Sequence, residues 1–380
     1  MSNKSTITIF GDICPVGNTL KGFESGNPTN IMSEDIIKLI QNSDLSVGNL
    51  ECVFTDSPSP IRKTGPVLYA PVKCMNTLAN AGFNAFSLSN NHIRDCGTSG
   101  LLSTIEACRH HNILTFGAGK NIEEAEAPLL VELNGRKVGF LSFSEHEFNY
   151  VTENRPGAST FDAYTDLNRI HKLRKEVDIL IVLFHGGIEY YSYPSPLLQK
   201  KCRAMADAGA DIILCQHSHC IGTYEYFGNA FILYGQGNNL FGYRANNRSW
   251  NEGLIVQIEL LDNKFEIKLI PCTTNHNSIL ESLRGEDADS LLTEIKDRSA
   301  NLDNKDFLIT QWKEFCYNLE NLNLPLLLGW NRYLIFLNRI LKGMPVRLLY
   351  GSKKSNITNN LIRCESHYEV MRTILDKYSY

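Results

Sequence analysis

The sequence lacks any uninterrupted apolar run long enough to cross a bilayer. Its most apolar late stretch, Leu324 to Leu341, is broken by Asn331, Arg332, Asn338 and Arg339, side chains that are costly at bilayer depth. It reads instead as a buried or interfacial helix. A secretory pattern is missing as well: Met1 to Ser5 are polar and lead straight into Thr6-Ile-Thr-Ile-Phe10, with no basic region, apolar core or small-residue cleavage site. The expectation is a cytoplasmic chain. There is no excess of positive charge. With 37 Lys and Arg against 41 Asp and Glu, the formal net charge of -4 gives no overall basic field, and nucleic acid is not expected as a partner. The eleven cysteines are scattered from Cys14 to Cys364 without the paired spacing of a zinc module or a disulfide scaffold, so they read as reduced thiols.

What is present suits a large core. A chain of 380 residues with 43% apolar content accommodates one big domain plus an appendage, or two ordinary domains. Short β-branched and apolar runs alternate with helical patterns, the sign of an α/β fold with helices on both faces of its strands. The spacing predicts strands over Thr6–Phe10, Leu45–Gly48, Ala85–Leu88, Lys137–Phe143, Ile179–Phe184, Ile212–Cys215 and Ala230–Leu233. It predicts helices over Ser33–Gln41, Val72–Ala81, Gly100–His111 and Pro196–Ala208, with Ser33 as an N-cap. Leu254–Leu261 and Lys264–Ile270, separated by Asp262-Asn263, read as a β-hairpin. Past about Thr274 the patterns become helical and charged, which places a soft boundary near Asn275, between residues 1–274 and a helical extension, 275–380.

Residues suited to metals follow the apolar strands, where an α/β sheet presents its carboxyl ends to ligands. The first strand runs into Gly11-Asp12, the second into Asn49-Leu50-Glu51, the third into Ser89-Asn90-Asn91-His92. Ile179–Phe184 delivers His185, and Ile212–Cys215 delivers Gln216-His217-Ser218-His219. In an extended segment residues two apart point the same way, so both imidazoles of His217 and His219 would reach one centre. Singly, each has a plain reading as turn residue, loop carboxylate or core histidine. Five strand ends bearing Asp, Glu, Asn-His, His and His-x-His in order make coincidence the poorer explanation.

These segments, together with Ser87–Gly97, Phe116-Gly-Ala-Gly119 and Leu233-Tyr-Gly-Gln-Gly-Asn238, make the chain resemble bacterial capsule synthesis proteins of the CapA type over residues 5 to 272. Such proteins are similar to calcineurin-like metallophosphoesterases and are associated with poly-γ-glutamate capsules. The resemblance implies a four-layer sandwich, two mixed β-sheets flanked by helices, with a metal pair at the strand ends. It implies that Asp12 and His219 serve one ion, Glu51 bridges, and Asn91, His185 and His217 serve the other, with His92 above them as general acid or phosphate-oriented donor. Asp12, Asn91 and His92 would form the catalytic set. The wider superfamily carries Asp-x-His at the first motif, where this chain has Asp12-Ile-Cys14. Cys14 reads either as a softer substitute ligand or, the favoured reading, as a small apolar residue. Two divalent ions with mixed N and O ligands point to Mn, Fe or Zn, and they would activate a water for hydrolysis.

Around this set, Arg62, Lys63, Arg94 and Arg155 are candidates for lining a site for an anionic small molecule or polymer, and Glu189, Tyr190 and Tyr191 for the wall of that substrate site, where a carboxylate can orient a ligating imidazole. Three functional expectations follow: a metal-dependent hydrolase of a phosphoester or capsule-related anionic substrate, a non-hydrolytic accessory of polymer synthesis, or a metal-dependent γ-glutamyl amide hydrolase. The Leu324–Leu341 stretch is a candidate for docking a membrane-associated biosynthetic partner.

Overall fold

The computed structural model describes residues 4–261, 264–350 and 352–376. The chain divides into two compact units, one running to Asp303 apart from Arg62–Thr64, the other made of those three residues and the chain from Asn304.

The first unit holds two mixed sheets. The larger has the order β18 (Leu280–Ser282), β17 (Lys264–Thr274), β16 (Glu252–Leu261), β1 (Ser5–Ile13), β2 (Leu45–Leu50), β5 (Ala85–Ser87), β6 (Leu114–Phe116), with β15 (Asn238–Leu240) beside the end of β1. Pairing is parallel through β1, β2, β5, β6 and β15, and antiparallel through β16 to β18. The second has the order β13 (Tyr224–Phe227), β14 (Ala230–Leu233), β12 (Ile212–Gln216), β11 (Ile179–His185), β9 (Arg136–Ser144), β8 (Leu129–Leu133). Its four middle strands are parallel and both edges antiparallel. Two short ladders join β3 (Val53–Phe54) to β4 (Tyr69–Ala70) and β7 (Ala118–Gly119) to β10 (Gly157–Ala158).

Side chains alternate across a strand, and that alternation builds the layers. Ile7, Ile9, Val47, Leu254 and Val256 of the larger sheet meet Phe140, Ile181, Leu183, Leu214 and Leu233 of the second in one inter-sheet core. The opposite face of the larger sheet, with Phe10, Ile13 and Phe86, is covered by α1 (Leu20–Glu24), α2 (Glu34–Gln41), α3 (Met75–Ala81) and α4 (Gly97–His110). The outer face of the second sheet carries α6 (Ala163–Arg174) and α7 (Pro196–Asp207). Short helices α5 (Ile122–Glu126) and α8 (Arg248–Asn251) fill loops. The result is helix, sheet, sheet, helix: the four-layer sandwich that the resemblance implied.

Each strand read from the sequence is present. The turn at Asp262-Asn263 lies outside the described residues, although the flanking strands pair from Glu252↔Thr273 to Leu261↔Lys264. Ser33 sits at the N-cap of α2 in extended backbone but makes no capping hydrogen bond.

The compact unit extends past the boundary expected near Asn275. β18 pairs with β17, and α9 (Gly285–Ser299) places Leu291 and Ile295 in the inter-sheet core. The second unit is helical: α10 (Lys305–Asn318), α11 (Glu320–Leu327), α12 (Arg332–Ile340), α13 (Met344–Leu349), α14 (Ser352–Arg363) and α15 (Glu365–Asp376). Leu324–Leu341 is therefore not one helix. Gly329 adopts a left-handed φ of 68°, and the Asn331 side chain caps α12 by accepting from Tyr333 N and Leu334 N. Nor is it buried, since Leu326, Leu327, Leu334, Phe336, Leu337 and Ile340 are exposed. No helix among the described residues is long and apolar enough to cross a membrane.

If α9 completes the core, Ile295→Ala should lower unfolding free energy by about 2–5 kcal/mol, read as a shifted denaturant midpoint. An unchanged midpoint would make α9 an appendage.

Candidate metal centre

The end of β1 is fixed by close backbone approach. A Cβ on Gly11 would lie 2.6 Å from the Gly237 carbonyl oxygen, and Gly11 N donates to the Asn239 side chain. Only glycine lets β1 seal against the Gly235–Asn239 loop. Asp12 then lies in register with Asn238 on one side and Asn49 on the other. Its carboxylate accepts from Asn49 Nδ2 at 2.8 Å and from His217 N at 3.0 Å.

Glu51 follows β2 and is held by its own N–H, which donates to the Ile13 carbonyl at 2.9 Å. Its side chain is fully buried, yet among the described residues neither carboxylate oxygen has a hydrogen-bond partner. A buried anion left in that state is costly. Around Oε1 stand His185 Nε2 at 3.7 Å, His92 Nε2 at 3.8 Å and His219 Nε2 at 4.0 Å. Two groups of donor atoms overlap on this residue: Glu51, His185 and His217, and Asp12, Glu51 and His219, each with its atoms within 4.8 Å of one another. His217 Nδ1 is likewise buried without a partner. Orphaned carboxylate oxygens and an orphaned imidazole nitrogen, facing each other in an N and O donor set, are what a pair of divalent cations would complete.

The imidazoles are oriented from behind. Asn238 uses its Nδ2 to donate to Trp250 O, so its Oδ1 accepts from His219 Nδ1 at 2.9 Å, which leaves Nε2 to face Glu51. His185 has Nδ1 3.0 Å from Asn49 Nδ2 and Nε2 3.0 Å from Asn91 Oδ1. His92 Nδ1 donates to Asp95 Oδ2 at 2.6 Å, and the same oxygen accepts from Leu68 N at 2.7 Å.

The His-x-His segment differs from expectation. His217 and His219 have φ of 88° and 51°, left-handed values rare for residues with a Cβ. The segment is a turn, not an extended strand, and its imidazoles fall into the two different groups, with ring centroids 6.1 Å apart. Backbone strain there is what lets one short turn serve both groups.

Burial governs the charge states. It pushes the Asp12 carboxyl up to about 6, against the hydrogen bonds from Asn49 and His217. It pushes Glu51 well above the usual carboxylate range, and the negative charge of Asp12 adds to the shift. The same burial holds His185 well below the usual imidazole range, His217 at about 4 and His219 at about 3. At neutral pH the imidazoles are neutral donors, and protons compete for the carboxylates. Cys14 is a buried member of the apolar core under the larger sheet, and burial raises its thiol pKa, as does neighbouring Cys52. It stands as the small apolar residue of the two readings.

The rim is less uniform. Arg94 is buried, with Nη1 donating to Phe148 O at 3.2 Å. Arg155 donates to Tyr150 O and lies over that ring. Glu189 is exposed, close enough for its charge to raise Glu51 further. Tyr190, also exposed and at φ 61°, is tied by its N–H to Ser218 O at 2.7 Å. Arg62 is exposed and belongs to the second unit. Sequence reasoning missed Asn49, Asp95, Arg244 and Trp250, and offered Asn238 only as part of a glycine-rich loop. Asp95 stands three residues after His92, a spacing that could have flagged it. Nothing local marks Arg244, whose guanidinium stacks on Trp250 and donates to Tyr190 Oη at 3.3 Å. Trp250 in turn has its ring 4.9 Å from that of His219.

A family profile described as bacterial capsule synthesis protein PGA_cap matches residues 6–243. The chain belongs to that family. Among curated relatives, the capsule biosynthesis protein CapA of Bacillus anthracis is 28% identical over 274 residues, covering 69% of this chain and 65% of that protein. The PGA biosynthesis protein CapA of Bacillus subtilis is 27% identical, covering 60% and 62%. A probable polyglutamine synthesis accessory protein of Mycobacterium tuberculosis is 27% identical over 42% of this chain and 45% of its own. The chain thus spans less than two thirds of the length of each. Among solved structures, a 5'-nucleotidase precursor from Thermus thermophilus shares 12% identity over 79% of this chain and 59% of that one, with a TM-score of 0.43. That likeness is one of outline, and nothing about activity is taken from it.

Because Asp12 and Glu51 must shed protons to ligate while the histidines need not, Mn²⁺ affinity should fall as pH drops through about 6. Calorimetric titration near pH 5 should give binding at least about tenfold weaker than near pH 7. Equal affinity at both would contradict this charge assignment.

Proposed function

We propose that the chain is a two-metal hydrolase acting on an anionic substrate of capsular polyglutamate metabolism. The observation that carries this reading is Glu51, a fully buried carboxylate with no hydrogen-bond partner among the described residues, shared by two overlapping ligand groups. Asp12 and His219 would hold one cation, His185 and His217 with Asn91 the other, and Glu51 both. Such a pair supplies Lewis acidity and a water that ionises near neutral pH.

The chain's own residues would do the rest. Asp95 fixes the His92 tautomer with the proton on Nδ1, so Nε2, 3.8 Å from Glu51 Oε1, would take a proton from the attacking water and pass it to the leaving atom. Arg244, fixed by Trp250 and Tyr190, would take a substrate oxyanion. Residues beyond this, Arg94 and Glu189, would line the wall. A phosphoester and a γ-glutamyl amide both fit a hydrolytic centre of this kind. The relative named for PGA biosynthesis favours testing the amide alongside the ester. One of the relatives is named as a synthesis accessory protein, which motivates a non-hydrolytic second reading with the cations in a structural role. The reading takes the cytoplasm as its compartment.

The metal-loaded chain should hydrolyse p-nitrophenyl phosphate or a γ-glutamyl peptide, and chelation should abolish the activity. His92→Ala should then lower kcat by about 10²–10⁴-fold with metal content unchanged. No turnover of either substrate would leave the accessory reading standing. Arg244→Ala should raise KM by about tenfold with kcat nearly kept, and Arg244→Lys should recover part of it; an equal fall in kcat would place Arg244 elsewhere in the mechanism.

A further inference from the structure

The second unit is built with its polarity reversed at α12. The side chain this helix buries completely is Asn338, whose Nδ2 donates to Asn321 O at 3.1 Å and whose Oδ1 accepts from Val346 N at 3.1 Å. One amide thereby ties α11, α12 and α13 together. With a polar residue turned inward, the apolar residues face out: Phe336 is 63% exposed, Ile340 58% and Leu348 75%. Exposed large apolar side chains gathered on two successive helices mark a candidate site of interaction.

Charge says what covers it. Between Glu320 and Glu365 the sequence contains no acidic residue, while α12, α13 and the turn between them carry Arg332, Arg339, Lys342 and Arg347. The chain as a whole is acidic, at a formal -4, so this stretch concentrates positive charge against the average. Arg332, Arg339, Lys342 and Arg347 are exposed beside the exposed leucines and phenylalanine. Apolar side chains rimmed by cations, on helices too short to span a bilayer, match the surface of an anionic membrane: the apolar groups enter the headgroup boundary and the cations pair with lipid phosphates.

We propose that α11 to α13 form a peripheral docking surface for an anionic lipid bilayer, lying on it and not crossing it. It is independent of the catalytic reading, since no residue of the metal centre takes part.

The test is sedimentation of the full chain with vesicles of phosphatidylglycerol and phosphatidylcholine, and with phosphatidylcholine alone. The proposal expects binding to the anionic vesicles that weakens with salt and is lost or nearly so on neutral ones. Arg339→Glu with Lys342→Glu should weaken it at least about tenfold, and Phe336→Asp with Leu337→Asp should do the same. Circular dichroism should show both pairs folded as the parent, since all four side chains are exposed. Three results would overturn the proposal: no binding to anionic vesicles, binding that both pairs leave intact, or a stable dimer of the parent that Phe336→Asp splits and vesicles do not bind.

Discussion

The site depends on one uncompensated charge. Glu51 is carried by the end of β2 into a fully buried place where, among the described residues, no donor reaches its oxygens. Left so, an ionised carboxylate would cost several kcal/mol, and burial, with the charge of Asp12 beside it, raises the Glu51 pKa well above the usual carboxylate range. Protonation relieves the cost in part, and Asp12 next to it faces the same choice. His185 and His219, kept neutral by the same burial and with nitrogens within 4.0 Å of the Glu51 carboxylate, bring no positive charge to it. A constellation of neutral nitrogens and crowded carboxylates is poor as a salt bridge and good as a cradle for cations.

The fold exists around that crowding. Two sheets stacked through a shared apolar core bring the carboxyl ends of β1, β2 and β5 opposite those of β11 and β12. Each sheet alone would present half of the donors. The local devices that finish the job are small: a glycine where β1 meets a neighbouring carbonyl, left-handed backbone at His217 and His219, and amides of Asn49 and Asn238 bonded to Asp12 and His219. Strain of this sort is retained where surrounding structure over-determines it.

How much of this was legible depended on the range of the interactions. Strand identity and the order of Asp12, Glu51, Asn91, His185 and His219 could be read because apolar runs and the residues following them are local features. The four layers and the sharing of Glu51 came with the family resemblance. The direction of the His217-Ser218-His219 turn could not be read, since it is imposed by the hydrogen bond from His217 N to Asp12, 205 residues away in sequence. Arg244 and Trp250 escaped for the same reason: they reach the rim through a loop with no periodicity of its own. The edge of the first unit was placed too early because α9 has a charged exterior, and its two core residues, Leu291 and Ile295, are outnumbered in any local window. The Leu324–Leu341 stretch read as one helix, buried or interfacial, because composition alone shows neither the break at Gly329 nor which side a helix turns inward.

The central claim is that two cations share Glu51. A crystal of the Mn²⁺-loaded chain, examined by anomalous scattering, tests it most directly. The account predicts two peaks about 3.5–4 Å apart on either side of the Glu51 carboxylate, one next to Asp12 and His219, the other next to His185 and His217. A single peak away from Glu51, or none among these residues, would contradict it.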